Sequence, residues 1–146
     1  MNLNSYFDFA DNEYEYFKAA IEAGLFANSM GAQAQAICEK YLKHLIDTEF
    51  SPANQGQEYE KTAVMKTHSL NRLMNFVANN ISENIISPET KAACRGVDGF
   101  YFSTRYPGND SIELTRDDLD LCIDAVDKLR DDVVDYIQTT GHQHMV

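Results

Sequence analysis

The chain has little of what catalytic or membrane-borne proteins usually display. No apolar run approaches the roughly 18 residues that a bilayer span needs. The opening Met1–Asp8 has neither the basic region nor the apolar stretch of a secretory signal. Cysteine is scarce: Cys38, Cys94 and Cys122 are odd in number, far apart and fit no zinc spacing. They read as reduced, mostly buried thiols of a cytoplasmic protein. The chain has no P-loop, no Gly-x-Gly-x-x-Gly, no His-Glu-x-x-His and no Gly-x-Ser-x-Gly. No glycine is followed by serine, which excludes the Gly-Ser turn of a metal-dependent nucleotidyltransferase. Positive charge is short as well. Twelve Lys and Arg stand against 23 Asp and Glu, giving a formal charge of −11. Such a field repels DNA, RNA and anionic membranes, and leaves room only for a small phosphate-bearing ligand at a local basic patch.

What is present is helix. The 146 residues, 44% hydrophobic, read as one domain over residues 1–146 with a frayed tail at 139–146. The spacing predicts five helices and no strand. The first spans about Asn12 to Asn28, with Asp11 as N-cap and Tyr14, Phe17, Ile21 and Leu25 on one face. The second spans about Gly31 to Thr48. Its buried stripe is Ala34, Ile37, Cys38, Tyr41 and Leu45, with Lys40, Lys43 and His44 off the stripe. Ser51–Gln57 is turn chemistry, and a loop is expected to continue to Lys66. Thr67 is the expected cap of a third, shorter helix carrying Leu70, Leu73, Met74 and Val77. Ser87-Pro88-Glu89 starts the fourth, with Pro88 at its first position. Ala93, Val97, Phe100 and Tyr101 continue that helix, Gly96 and Gly99 mark close helix packing or a local irregularity, and Pro107 ends it. Thr115 and Asp118 form a capping box for the fifth. There Leu119, Cys122, Val126, Leu129, Val133 and Ile137 make a bundle seam.

Three constellations could carry chemistry. The first is a basic edge: Lys40, Lys43 and His44 on the second helix, then His68 and Arg72, four apart and so on one face of the third. If these helices are neighbours, the cations converge on an acidic ligand; the competing reading is a solvated rim of ion pairs. The second is Tyr101, Arg105 and Tyr106, where Pro107 fixes the turn and an arginine between aromatics could stack on a base or meet a phosphate. Equally, Arg105 could satisfy a helix end or a buried acid. The third is the acidic stripe Asp117, Asp120, Asp124, Asp127, Asp131 and Asp135. No other ligand is placed beside it by spacing, so it reads as a solvated face and no metal is expected. His142 and His144 fall in the tail.

Four segments together resemble the HEPN (higher eukaryotes and prokaryotes nucleotide-binding) family. They are Tyr16-Phe17-Lys18-Ala19-Ala20, the helix Ala36 to Leu45 with Glu39, Leu42 and Lys43, His68-Ser69-Leu70-Asn71-Arg72-Leu73, and Tyr101 to Gly108 before a long closing helix. The resemblance implies an all-α antiparallel bundle of four to five helices, usually homodimeric and often encoded beside a minimal nucleotidyltransferase. Some HEPN proteins are metal-independent ribonucleases that use an Arg, four to six residues, then a His. No arginine here has a histidine at that distance downstream, so the pattern is missing.

The sequence thus predicts a non-catalytic, homodimeric HEPN-like module with no cofactor. It would bind a nucleotide or support a partner nucleotidyltransferase, as in a toxin–antitoxin pair. Lys43, His68, Arg72, Tyr101, Arg105 and Tyr106 form its expected ligand surface, with Lys43, Arg72 and Arg105 on phosphate and Tyr101 or Tyr106 on a base. The alternatives are a divergent ribonuclease using His68 with Arg72, and an acidic interaction module without a small ligand.

Overall fold

The computed structural model describes residues 3–140, and these are all-helical. Seven helices follow in order: α1 Tyr6–Glu22, α2 Met30–Glu49, α3 Gln55–Met65, α4 Leu70–Asn80, α5 Pro88–Val97, α6 Phe100–Ser103 and α7 Arg116–Thr140.

Helix α2 is the central stave. It packs against α1, α4 and α7, while α5 packs against α7. Its neighbours cover it on several sides, so Ile37, Tyr41, Leu42, Leu45 and Ile46 are all buried in the shared core with Phe17, Leu73, Met74 and Leu129. Cross-helix bonds fix the directions. Asp11 pairs with Arg130 and Lys18 with Asp127, so α1 and α7 run antiparallel. Phe7 packs on His44, and Glu13 meets Lys40, so α1 and α2 are antiparallel too. Three buried thiols, Cys38, Cys94 and Cys122, come from α2, α5 and α7. The contact with Cys94 and then burial hold the Cys38 thiol well above its ordinary pKa; burial pushes Cys122 up to about 12. Both stay protonated and inert at neutral pH.

Several boundaries differ from expectation. Helix α1 starts one and a half turns earlier, because Ser5 rather than Asp11 is its cap; the Ser5 hydroxyl accepts from the Asp8 N–H at 3.1 Å. It also stops earlier. Gly24 takes φ 81° and closes a Schellman turn, with Gly24 N–H donating to Ile21 and Leu25 N–H to Ala20. The expected loop to Lys66 contains α3. Only Val64 of α3 is buried, so the helix has almost no apolar period to announce it, and Asn54 caps it through Gln57 N–H. The cap of α4 is Ser69, which accepts from Arg72 N–H, while Thr67 accepts from Ser69 N–H. His68 therefore precedes the helix and does not share a helical face with Arg72. The expected fourth helix is two: Gly99 at φ 98° breaks it into α5 and the one-turn α6. Pro88 opens α5 behind its Ser87 cap, and Thr115 with Asp118 forms a reciprocal capping box at α7. Helix α7 continues through Thr139 and Thr140; the rest of the expected tail, with His142 and His144, lies outside the described residues.

Candidate functional site

Three polar residues, Gln35, Glu39 and Lys43, stand at i, i+4 and i+8 on α2 and are buried. That spacing puts them in one line on one side of the helix. The line backs two segments that are distant in sequence: the turn at His68 before α4, and α6 with the turn that follows.

Gln35 joins the two segments. Its amide nitrogen donates to the His68 carbonyl and its oxygen accepts from Tyr101 N–H at 2.7 Å. Asp98, just before the Gly99 break, accepts from Leu70 and Asn71 N–H at 2.9 and 3.1 Å and so seats the start of α4. Glu39 is only 4% exposed. Its Oε1 lies 3.0 Å from His68 Nδ1 and 3.4 Å from Lys43 Nζ, and its Oε2 is buried with no hydrogen-bond partner among the described residues. A buried carboxylate needs such partners to offset its desolvation. With His68 Nδ1 donating to the carboxylate, Nε2 is the ring nitrogen left for a ligand or solvent.

On the outer side the rings stack. His68 lies 4.1 Å from Tyr101 at an interplanar angle of 11°. The Arg105 guanidinium sits 4.5 Å from the Tyr101 centroid and 5.3 Å from that of Tyr106. Phe102 closes the group edge-on to both His68 and Tyr101. Arg105 is exposed and makes no ion pair or side-chain hydrogen bond among the described residues, so it satisfies neither a helix end nor a buried acid there.

The Arg105 turn is anchored from below. Asn28 donates its amide to the Thr104 carbonyl at 2.9 Å and to that of Ile112 at 3.0 Å, and accepts from Leu114 N–H. Ile112 N–H donates to the Ser103 carbonyl at 2.7 Å. Beside the turn a cleft of about 520 Å³ opens between α1 and α2, with Tyr101 and Arg105 on one wall.

The six residues singled out from the sequence thus separate. His68, Tyr101, Arg105 and Tyr106 form one contiguous group. Lys43 is buried and committed to Glu39, so it is not the free phosphate donor expected off the helix stripe. Arg72 is exposed on the first turn of α4, and among the described residues no side-chain hydrogen bond, ion pair or ring contact ties it to the group. Gln35, Asp98 and Asn28 carry no site expectation from the sequence, and Glu39 enters only through the family resemblance, not as a site residue. The four-residue repeat of polar groups along α2 was the available signal for Gln35 and Glu39; nothing local marks the others. Among the described residues no group of three or more His, Cys, Asp or Glu is placed to hold a metal, and no helix is long and apolar enough to cross a membrane.

No curated protein and no solved structure gives a significant match to this chain. A family profile, that of the HEPN domain, matches residues 4–136. The match takes in the α2 polar line, the His68 turn, the Arg105 turn and most of α7, and with the all-helical bundle it settles membership: the chain belongs to the HEPN domain family.

Proposed function

We propose that this protein is a non-catalytic HEPN module that holds a nucleotide or similar anion at the His68–Tyr101–Arg105 group, works as a homodimer, and supports a partner nucleotidyltransferase. The observation that carries the binding part is Arg105: an exposed guanidinium, stacked against two tyrosines, with no carboxylate paired to it among the described residues. In a molecule of charge −11 a cation left unpaired among so many acids offers an anion the local donors that the global field denies it. The dimer and the partner enzyme rest on family membership.

Isothermal titration with nucleotides tests the binding part. A charge-assisted hydrogen bond contributes about 1.5–3 kcal/mol, so Arg105→Ala is expected to weaken binding about tenfold or more with the melting temperature little changed. Unaltered affinity in the variant rejects the role of Arg105. Light scattering that finds only monomer at micromolar concentration rejects the dimer.

One observation favours a second reading. Glu39 holds His68 as an acid orients a general base, and Arg105 lies against the same tyrosine. A divergent ribonuclease would use His68 with Arg105 rather than with Arg72. Metal-independent RNA cleavage that disappears in His68→Ala would establish it.

A further inference from the structure

We infer that the cleft between α1 and α2 takes the sugar and base of a free nucleoside monophosphate, its single phosphate on Arg105 and its base against Tyr16. The inference rests on the proposed anion site at Arg105 and adds the rest of the ligand.

The cleft exists because α2 presents small side chains there. Ser29, the residue before α2, and Ala32 and Ala36 within it recur at three- and four-residue steps and leave space beside α1. Its volume of about 520 Å³ falls in the range of small-molecule sites, roughly 300–1,000 Å³. Two tyrosines line it from different elements, Tyr16 from α1 and Tyr101 from α6. Tyr16 is 69% exposed, a large aromatic face left in water, while Phe7, Tyr14 and Phe17 of the same helix pack on the core. Stacking a base on such a face is favourable and tolerant of base identity. Asn12 and Gln33 add neutral amides at the lining, donors and acceptors suited to base edges and ribose hydroxyls.

Charge sets the number of phosphates. Among the described lining residues Arg105 is the one cation, and Glu13, already bound to Lys40, is the one acid. One guanidinium meets one phosphate by a bidentate pair. A triphosphate would bring two more phosphates into the field of a molecule of charge −11, with no second cation among the described lining residues to receive them. The same field opposes a polymer, whose every added nucleotide brings another charge.

Titration of the full chain with a nucleoside 5′-monophosphate, the matching triphosphate, inorganic phosphate and a short 5′-phosphorylated oligoribonucleotide tests the inference. The monophosphate is expected to bind at least fivefold tighter than the other three. Tyr16→Ala, an exposed position, is expected to weaken it about tenfold, and Ala36→Leu, which fills the cleft, to remove measurable binding. Should Ala36→Leu fail to fold, Tyr16→Ala decides alone. A triphosphate or oligonucleotide that binds as tightly through Arg105 overturns the monophosphate and leaves the proposed site. So does Arg105-dependent binding that Tyr16→Ala does not alter, or inorganic phosphate binding as well as the nucleotide. No binding of any probe removes both.

Discussion

Glu39 is the residue on which the buried polar line turns. It lies at 4% exposure between Lys43 and His68, and Lys43 is itself at 9%. Removing one member of such a pair strands the other charge in a poorly solvated place. Glu39→Ala is therefore expected to cost about 3 kcal/mol in urea denaturation. Lys43→Met added to it should recover part of that loss, because the orphaned cation goes with it. If the double variant is as unstable as the sum of the two single changes, the pair is not the cause. Single residues were unevenly legible in the sequence. Arg105 and Tyr101 stood out because an arginine among aromatics before a proline is unusual. Lys43 was misread because helix periodicity gives each face an angle but not a depth, and α2 is covered on more sides than one apolar stripe implies.

At the scale of elements, contacts between helices decide what local pattern cannot. Gly31, in the first turn of α2, is where α2 meets the chain on both sides of the Arg105 turn. A methyl group there would lie 2.9 Å from Thr104 Cγ2 and 3.2 Å from Leu114 Cδ1. Alanine is the better helix former by up to about 1 kcal/mol, yet Thr104 is buried and cannot swing away freely. Gly31→Ala is expected to destabilise by about 1–2 kcal/mol, read by thermal melting, and to shift the Arg105 resonances; a gain in stability would show that the turn gives way. The seam of α1 and α7 carries a pH dependence. The Tyr14 hydroxyl donates to Asp127 at 2.7 Å, and burial, then that carboxylate, push the phenol up to about 12 from an ordinary value near 10. A group whose pKa is raised on folding contributes its stability in full below the unfolded value and loses it as pH rises through the folded one. The advantage of the native protein over Tyr14→Phe should accordingly hold to about pH 10 and shrink toward pH 12, as measured by denaturant titration at each pH. A gap that widens over this window contradicts the assignment. Elements with a cap and a strong apolar period, α7 above all, were legible in advance, and so was the Ser87-Pro88 start of α5. Helix α3 was not, because it buries a single residue, and α6 was not, because its existence depends on one glycine at positive φ.

At the scale of the whole molecule, the all-helical bundle was legible as a class because apolar seams at helical spacing are a property of the chain alone. The candidate site was legible only in part: its outer rings lie in one short segment with His68, while the buried residues that bring the two together are ordinary-looking positions of α2. The stretch from Arg105 to Glu113 is exposed throughout, yet its base is clasped by Asn28 and by the bond from Ile112 to Ser103. Among the described residues the chain beyond it runs through Leu114 and Thr115 into α7, seated on the core by Leu119, Cys122, Val126, Leu129 and Val133. The covalent link across the tip is thus dispensable once folding is complete. A protease cut engineered between Pro107 and Asp110 should yield a two-piece protein whose halves co-elute in gel filtration, and the separately expressed pieces should find each other as a split reporter does. Halves that part on cutting would mean the tip carries tension that the clasp alone does not bear.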